Sequence, residues 1–286
     1  MPTAEQFFQD PLHFFVGLVS EPGAGKTRQA ISFPRCYYVE AGDTYGLKTV
    51  LEDPKNVHLR ANLIEQDCID IENRSEAKDI FKVTDDPKNR DSIYGILAHA
   101  KELAKDKAID TLVLDGASLL FNYKGIEIGK GAGVTDGDRW SYYRQLKNDL
   151  TWFVNSNIMP LLTRHGISVV MCLHVQRESD ESKAKQTSQD ADWSPMVEGS
   201  FRQLISTLPR AMIYLHQKVE LRGTEQTVKY LAYCQRVKVP HVGLVPAKNA
   251  YGLPPVIDLT GKNLHDILVQ SMTAAAPRAA ATAVTK

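Results

Sequence analysis

The 286 residues carry 34 Lys plus Arg against 34 Asp plus Glu, so no global field draws the chain onto nucleic acid or acidic lipid. Four cysteines, Cys36, Cys68, Cys172 and Cys234, match neither a zinc spacing nor a disulfide framework, and buried thiols in a reducing compartment are expected. No run reaches bilayer length and no basic-then-apolar leader opens the chain, which predicts a soluble, cytoplasmic protein with no membrane partner.

In chain order, residues 1–12 predict an irregular lead-in. Phe14 to Val19 is an apolar run that predicts a buried strand, and Ser20-Glu21-Pro22-Gly23-Ala24-Gly25-Lys26-Thr27 follows it directly. Strand, glycine-rich loop and helix start together make the context of a phosphate-binding P-loop. Glycines let successive backbone N–H groups turn inward around phosphates, and the first helical amides add to them. The expected nucleotide-binding set is Glu21, Pro22, Gly23, Ala24, Gly25, Lys26, Thr27 and Arg28. Within it, Lys26 reaches the β- and γ-phosphates and Thr27 takes one position around Mg²⁺. Ser20 stands where the usual pattern has its first glycine, which a serine with negative φ can replace.

Phe33-Pro34 ends the helical pattern, and Cys36 to Val39 predicts a second buried strand running into Glu40-Ala41-Gly42-Asp43. Functional carboxylates sit at such strand ends in doubly wound sheets. Val57-His58-Leu59 is a short strand candidate, and 67–90 is acidic and then polar, a surface excursion. Asp91 to Lys105 has helical apolar spacing. Ile109 to Leu114 predicts a core strand closed by Asp115, the acidic partner that helps hold Mg²⁺. Residues 122–139 carry five glycines and predict a surface loop. Trp140 to Met159 predicts an amphipathic helix, and Ile167 to Leu173 a strand ending in His174. The polar stretch after it contains Lys183, Lys185 and Trp193, which could contact a single strand by charge and stacking. Ala211 to Leu215 is a further strand, 217–239 reads as a hairpin, and Lys248 precedes the proline-containing edge LPPVIDL. From Met272 the alanine-rich tail predicts disorder. The domain division is therefore a lead-in over 1–12, one α/β unit over 13–265, and a low-complexity tail over 266–286.

SEPGAGKT, YYVEAGDTYGL, TLVLDG, VVMCLH and KNAYGLPPVIDL, in that order, make residues 12–262 resemble the RecA-like P-loop ATPases of bacteriophages, a family of recombination and single-strand annealing. The resemblance implies a mostly parallel sheet flanked by helices with a C-terminal antiparallel hairpin. It also implies ATP and Mg²⁺ as cofactors, and action in the cytoplasm of an infected bacterial host. It makes Glu40, with Asp43 as runner-up, the carboxylate that orients the attacking water, and His174 the sensor of the γ-phosphate. The segments 122–139 and 176–193 would face single-stranded DNA, and Lys248 would meet nucleotide across a subunit boundary. A homo-oligomer and a single-strand DNA-binding protein are the implied partners. A P-loop kinase for a small acceptor and a nucleotide-dependent module without turnover are the competing readings.

Overall fold

The computed structural model describes residues 13–42, 46–69, 71, 80–132, 139–177, 193–197, 201–222, 225–239 and 242–283. Its strands are β1 (Phe15–Ser20), β2 (Cys36–Ala41), β3 (Leu63–Ile69), β4 (Thr111–Asp115), β5 (Ser168–Arg177) and β6 (Trp193–Pro195). They continue with β7 (Ala211–Arg222), β8 (Glu225–Tyr233), β9 (Lys238–Val239), β10 (Gly243–Leu244), β11 (Lys248–Asn249) and β12 (Val256–Asp258). The helices are α1 (Lys26–Ala30), α2 (Gly46–Glu52), α3 (Ile93–Lys105), α4 (Ala117–Ala132) and α5 (Arg139–Phe153), then α6 (Met159–Thr163), α7 (Phe201–Ile205) and α8 (Leu264–Ala283).

Ten strands form one mixed sheet in the order β12-β8-β7-β1-β5-β4-β2-β3, with β11 on β7 and β6 on β5. From β7 to β3 every neighbouring pair is parallel, while the pairs β7–β8, β8–β12, β7–β11 and β5–β6 are antiparallel. Continuous apolar strands suit a parallel sheet because both of its faces are covered. Strand periodicity divides the core accordingly. Phe15, Val19, Val39, Leu114, Met171 and Leu173 point to one face, where α3 to α7 pack. Val16, Leu18, Tyr38, Val113, Val170 and Cys172 point to the other, beneath α1, α2 and α8. The mostly parallel sheet, its flanking helices and the C-terminal hairpin β7–β8 are as the sequence predicts.

Several local expectations differ from the structure. Val57 to Leu59 lies in a 3-10 helix, Pro54–Asn62, not in a strand. The segment read as a surface excursion from 67 contributes to β3, the edge strand. Its alternating acids hid it: Arg90 binds Asp67 at 2.6 Å and Glu65 at 2.5 Å, and His99 binds Glu65 at 3.0 Å, so the charges are tied to the start of α3 and to α3 itself. Residues 122–132, expected as loop, continue α4. The apolar residues that dock this helix, Ala117, Leu120, Phe121 and Ile128, recur at helical spacing from a point upstream of the glycines. The helix pattern read as ending at Pro160 passes through a π turn, Val154–Ile158, into α6, where Pro160 occupies the tolerated first turn. α8 runs through the alanine-rich stretch to Ala283; alanine favours helix most strongly. Leu264 and Leu268 anchor its start in the core. Cys68 is exposed on β3, whereas Cys36, Cys172 and Cys234 are buried. No helix among the described residues is long and apolar enough to cross a membrane.

The C-terminal ends of β1, β2 and β4 open on one edge of the sheet. At β4 the chain turns into α4 through Gly116, whose φ is +85° and where a Cβ would sit 2.1 Å from the Ala41 carbonyl oxygen. Gly116→Ala is therefore expected to lower stability by about 2–4 kcal/mol, combining left-handed strain with a clash against backbone that cannot yield. The urea unfolding midpoint measures it.

Candidate functional site

The glycine loop hangs between β1 and α1. Gly23 and Gly25 hold φ of +80° and +89°, the left-handed angles that turn the loop over. Open space surrounds the Cβ position at Gly23, so the backbone angle, not crowding, calls for glycine there. Glu21, Pro22 and Gly23 are exposed while Ala24 is buried against the sheet.

Ser20 ends β1 fully buried and is not among the residues with positive φ, so no glycine is needed at this position. Its hydroxyl has a specific task. Lys26 Nζ donates to Ser20 Oγ at 2.9 Å, to the Ser20 carbonyl at 3.1 Å and to the Glu21 carbonyl at 3.1 Å. Three ammonium donors thus meet three acceptors at the root of the loop. Burial pulls the Lys26 pKa below the ordinary lysine value, against the opposing pull of nearby groups that include Asp115 and Glu21.

Thr27, one residue on, donates its hydroxyl to Asp115 Oδ2 at 2.6 Å. Tyr38 donates to the same oxygen from β2. Cys172 is the register partner of Asp115 on β5, and its thiol is buried beside that carboxylate. Burial, then the Asp115 charge, raises both the Tyr38 and the Cys172 pKa, so both stay protonated. Among the described residues no group of three or more His, Cys, Asp or Glu is arranged to hold a metal. Thr27 and Asp115 offer instead one hydroxyl and one carboxylate. That hard-oxygen pair suits Mg²⁺, which keeps waters and takes phosphate oxygens for the rest of its shell.

Glu40 is the register partner of Asp115 on β2, so both carboxylates lie on the α1 face of the sheet. Glu40 is 3% exposed; its Oε1 accepts from Leu47 N–H at 3.3 Å and its Oε2 from Gln66 Nε2 at 3.3 Å. Asp43 lies outside the described residues. His174 pairs with Ser20 in the β1–β5 register, beside the root of the loop. It does not end its strand, however. β5 continues to Arg177 and pairs with β6, and the His174 N–H donates to Ser118 Oγ at 3.0 Å.

The structure brings Lys26, Thr27, Asp115, Glu40 and His174 to one edge and one face of the sheet, and leaves two predicted residues out. Arg28 Nε donates to Asn56 Oδ1 at 3.0 Å and its Nη1 to the Lys262 carbonyl at 3.1 Å, so it braces α1 against the 3-10 helix Pro54–Asn62 and the C-terminal segment. Lys248 sits on β11 opposite Met212, at the start of β7 and the far edge of the sheet from the loop. Its ammonium donates to the carbonyls of Thr207 at 2.7 Å and Pro209 at 2.9 Å, so within the chain it takes no part in the site. Trp193, read as a stacking residue, lies in β6 and donates its indole N–H to the Val242 carbonyl at 2.8 Å. Most of the segment 176–193, Lys183 and Lys185 included, falls outside the described residues, as does 133–138.

Sequence reading missed Tyr38, Cys172 and Gln66. Tyr38 shares the strand parity of Glu40, a signal available in the sequence, but its partner follows only from strand order. Beside the loop, β7 and β8 run on past the end of β1, and Tyr230 packs 3.5 Å from where a Cβ of Gly25 would stand. No protein-family model matches the chain, and no curated protein matches it significantly.

Since Thr27 and Tyr38 share one oxygen of Asp115, Thr27→Val and Tyr38→Phe are each expected to cost about 1–3 kcal/mol of stability, as for hydrogen bonds to a charged acceptor. Their double mutant departs from additivity by at least about 0.5 kcal/mol, which a cycle of urea unfolding curves detects.

Proposed function

We propose that the chain is a Mg²⁺-dependent ATP-binding protein and ATPase built on a RecA-like core, acting in phage DNA recombination, single-strand annealing or replication. One observation carries this reading: the Thr27 hydroxyl sits on the Asp115 carboxylate at the foot of a glycine loop that buries Lys26. The meeting of the strand ends at β1, β2 and β4 on one edge supports the RecA-like form of the fold.

In this mechanism the amides from Glu21 to Lys26 bind the phosphates, and Lys26 neutralises charge on the β- and γ-oxygens. Thr27 and Asp115 hold Mg²⁺, which would supply charge stabilisation at the phosphate oxygens. Glu40 orients the water that attacks the γ-phosphorus, with the bond to the β,γ-bridging oxygen breaking to leave ADP and phosphate. His174, beside the loop root on β5, reads the γ-phosphate and passes the state along β5 toward 178–192. The roles in recombination and annealing, single-stranded DNA, self-association and a single-strand DNA-binding partner rest on the family resemblance. The segments the resemblance turns toward DNA, 122–139 and 176–193, lie partly outside the described residues.

The test is an ATPase assay with and without single-stranded DNA. Lys26→Ala is expected to abolish MgATP binding, and Glu40→Gln to retain binding while lowering turnover by about 10²-fold or more. Stimulation by single-stranded DNA supports the recombination role. Binding without turnover supports the interaction module, and no binding of any nucleoside triphosphate defeats the proposal.

Lys26 adds a pH signature. Its pKa is depressed by burial in the free chain, and a bound triphosphate raises it again, so binding takes up protons where free Lys26 is partly deprotonated. MgATP affinity is therefore expected to fall with rising pH before the ordinary lysine value of 10.5 is reached. Calorimetry in alkaline buffers of different ionisation enthalpy measures the uptake.

A further inference from the structure

Glu40 is buried, yet one of the groups that holds it reaches in from solvent. Gln66 belongs to the exposed row of β3, the outermost strand on its side of the sheet, and its side-chain amide crosses to Glu40 Oε2 at 3.3 Å. The other oxygen, Oε1, takes the Leu47 N–H from the first turn of α2, also at 3.3 Å. Leu47 and Gln66 line the same cavity of about 430 Å³, together with Lys48, Leu51, Glu52 and Arg60. The charged groups of that cavity are paired within its lining: Lys48 pairs with Glu52 at 3.8 Å, and Arg60 donates to the Leu51 carbonyl at 3.1 and 2.7 Å.

The last torsion of a glutamate is broad and two-fold, so rotamer preference alone does not fix the plane of its carboxylate. Two donors on the two oxygens, from two different elements, do fix it. The donor is also neutral. A lysine or arginine at 66 would hold the carboxylate in an ion pair and weaken it as a proton acceptor, whereas an amide orients it at little cost in basicity.

We propose that Gln66 is the positioning residue for Glu40, setting the plane of the carboxylate that orients the hydrolytic water. The proposal rests on the ATPase reading above and names a residue that reading does not contain. Gln66 is solvent-exposed and its amide binds a single atom of the site, so its removal opens no core cavity. Its effect should fall on the chemical step and not on folding or nucleotide binding.

The experiment compares the full-length chain with Gln66→Leu, Gln66→Glu and Ile64→Thr, the last an exposed position on the same row of β3 that touches neither carboxylate. In Gln66→Leu, kcat is expected to fall about tenfold or more, while KM and equilibrium MgATP affinity stay within about twofold and the urea midpoint is unchanged. Gln66→Glu, which sets a like charge against Glu40, falls further than Gln66→Leu. Ile64→Thr matches the unchanged protein in every quantity. A Gln66→Leu kcat within about twofold of the unchanged protein overturns the proposal, and so does a fall accompanied by matching losses of MgATP affinity and stability. If the unchanged protein binds MgATP but does not hydrolyse it, the ATPase reading itself fails, and the role of Gln66 fails with it.

Discussion

Thr27 and Asp115 meet although their strands are not neighbours. β5 lies between β1 and β4, so roughly 10 Å of sheet separates the two strand axes at about 4.8 Å per step. The short helix α1 closes that gap by crossing over β5 and setting a hydroxyl on the carboxylate. For this it must lie close to the sheet, and the β5 residues on that face, Val170 and Cys172, are small. The same crossing fixes the rest of the site. It returns Lys26 to the carbonyls of Ser20 and Glu21, while the pairing of β4 with β2 puts Asp115 within reach of Tyr38. Gly116 leaves Asp115 through a left-handed turn that also clears the end of β2, so the acid is held from both directions along the chain.

What could be read in advance divides along a physical line. The loop, the strands β1, β2 and β4 and the carboxylates that end them depend on contiguous patterns, and these were legible. Contacts across the sheet were not. That Tyr38 faces Asp115, that Cys172 lies under it and that Gln66 touches Glu40 all require strand order and register, which no single segment encodes. β3 escaped for a related reason. Its acids look like a solvated loop until Arg90 and His99 arrive from the start of α3 and from α3 itself to pair with them.

The segment from 122 shows how a strong local signal is outweighed. Each glycine in a helix costs up to about 1 kcal/mol relative to alanine, and a cluster of them argues for a loop. Phe121, Tyr123 and Ile128 are nevertheless buried, and Phe121 packs edge-on against Phe201 with ring centroids 5.4 Å apart. Burial of large apolar side chains at about 1.5–3 kcal/mol each exceeds that helix cost. The apolar period had begun before the glycines, and a reading that starts at residue 122 cannot see it.

The charges of the site bear on the proposed metal. On the α1 face Lys26 supplies one positive charge, and Asp115 and Glu40 supply two negative ones within reach of the same loop. In the proposed reading these side chains alone would attract a polyphosphate only weakly. Backbone N–H groups offset part of this through their partial charges, but they add no full positive charge. Asp115, which would otherwise repel phosphates, would become a bound partner in the proposed reading if it held a divalent cation. Glu40 has donors of its own, Gln66 on one carboxylate oxygen and the Leu47 N–H of α2 on the other. The two acids share a face and a register, and they differ in which donors reach each of them: the Thr27 and Tyr38 hydroxyls for Asp115, an edge-strand amide and a helix N–H for Glu40.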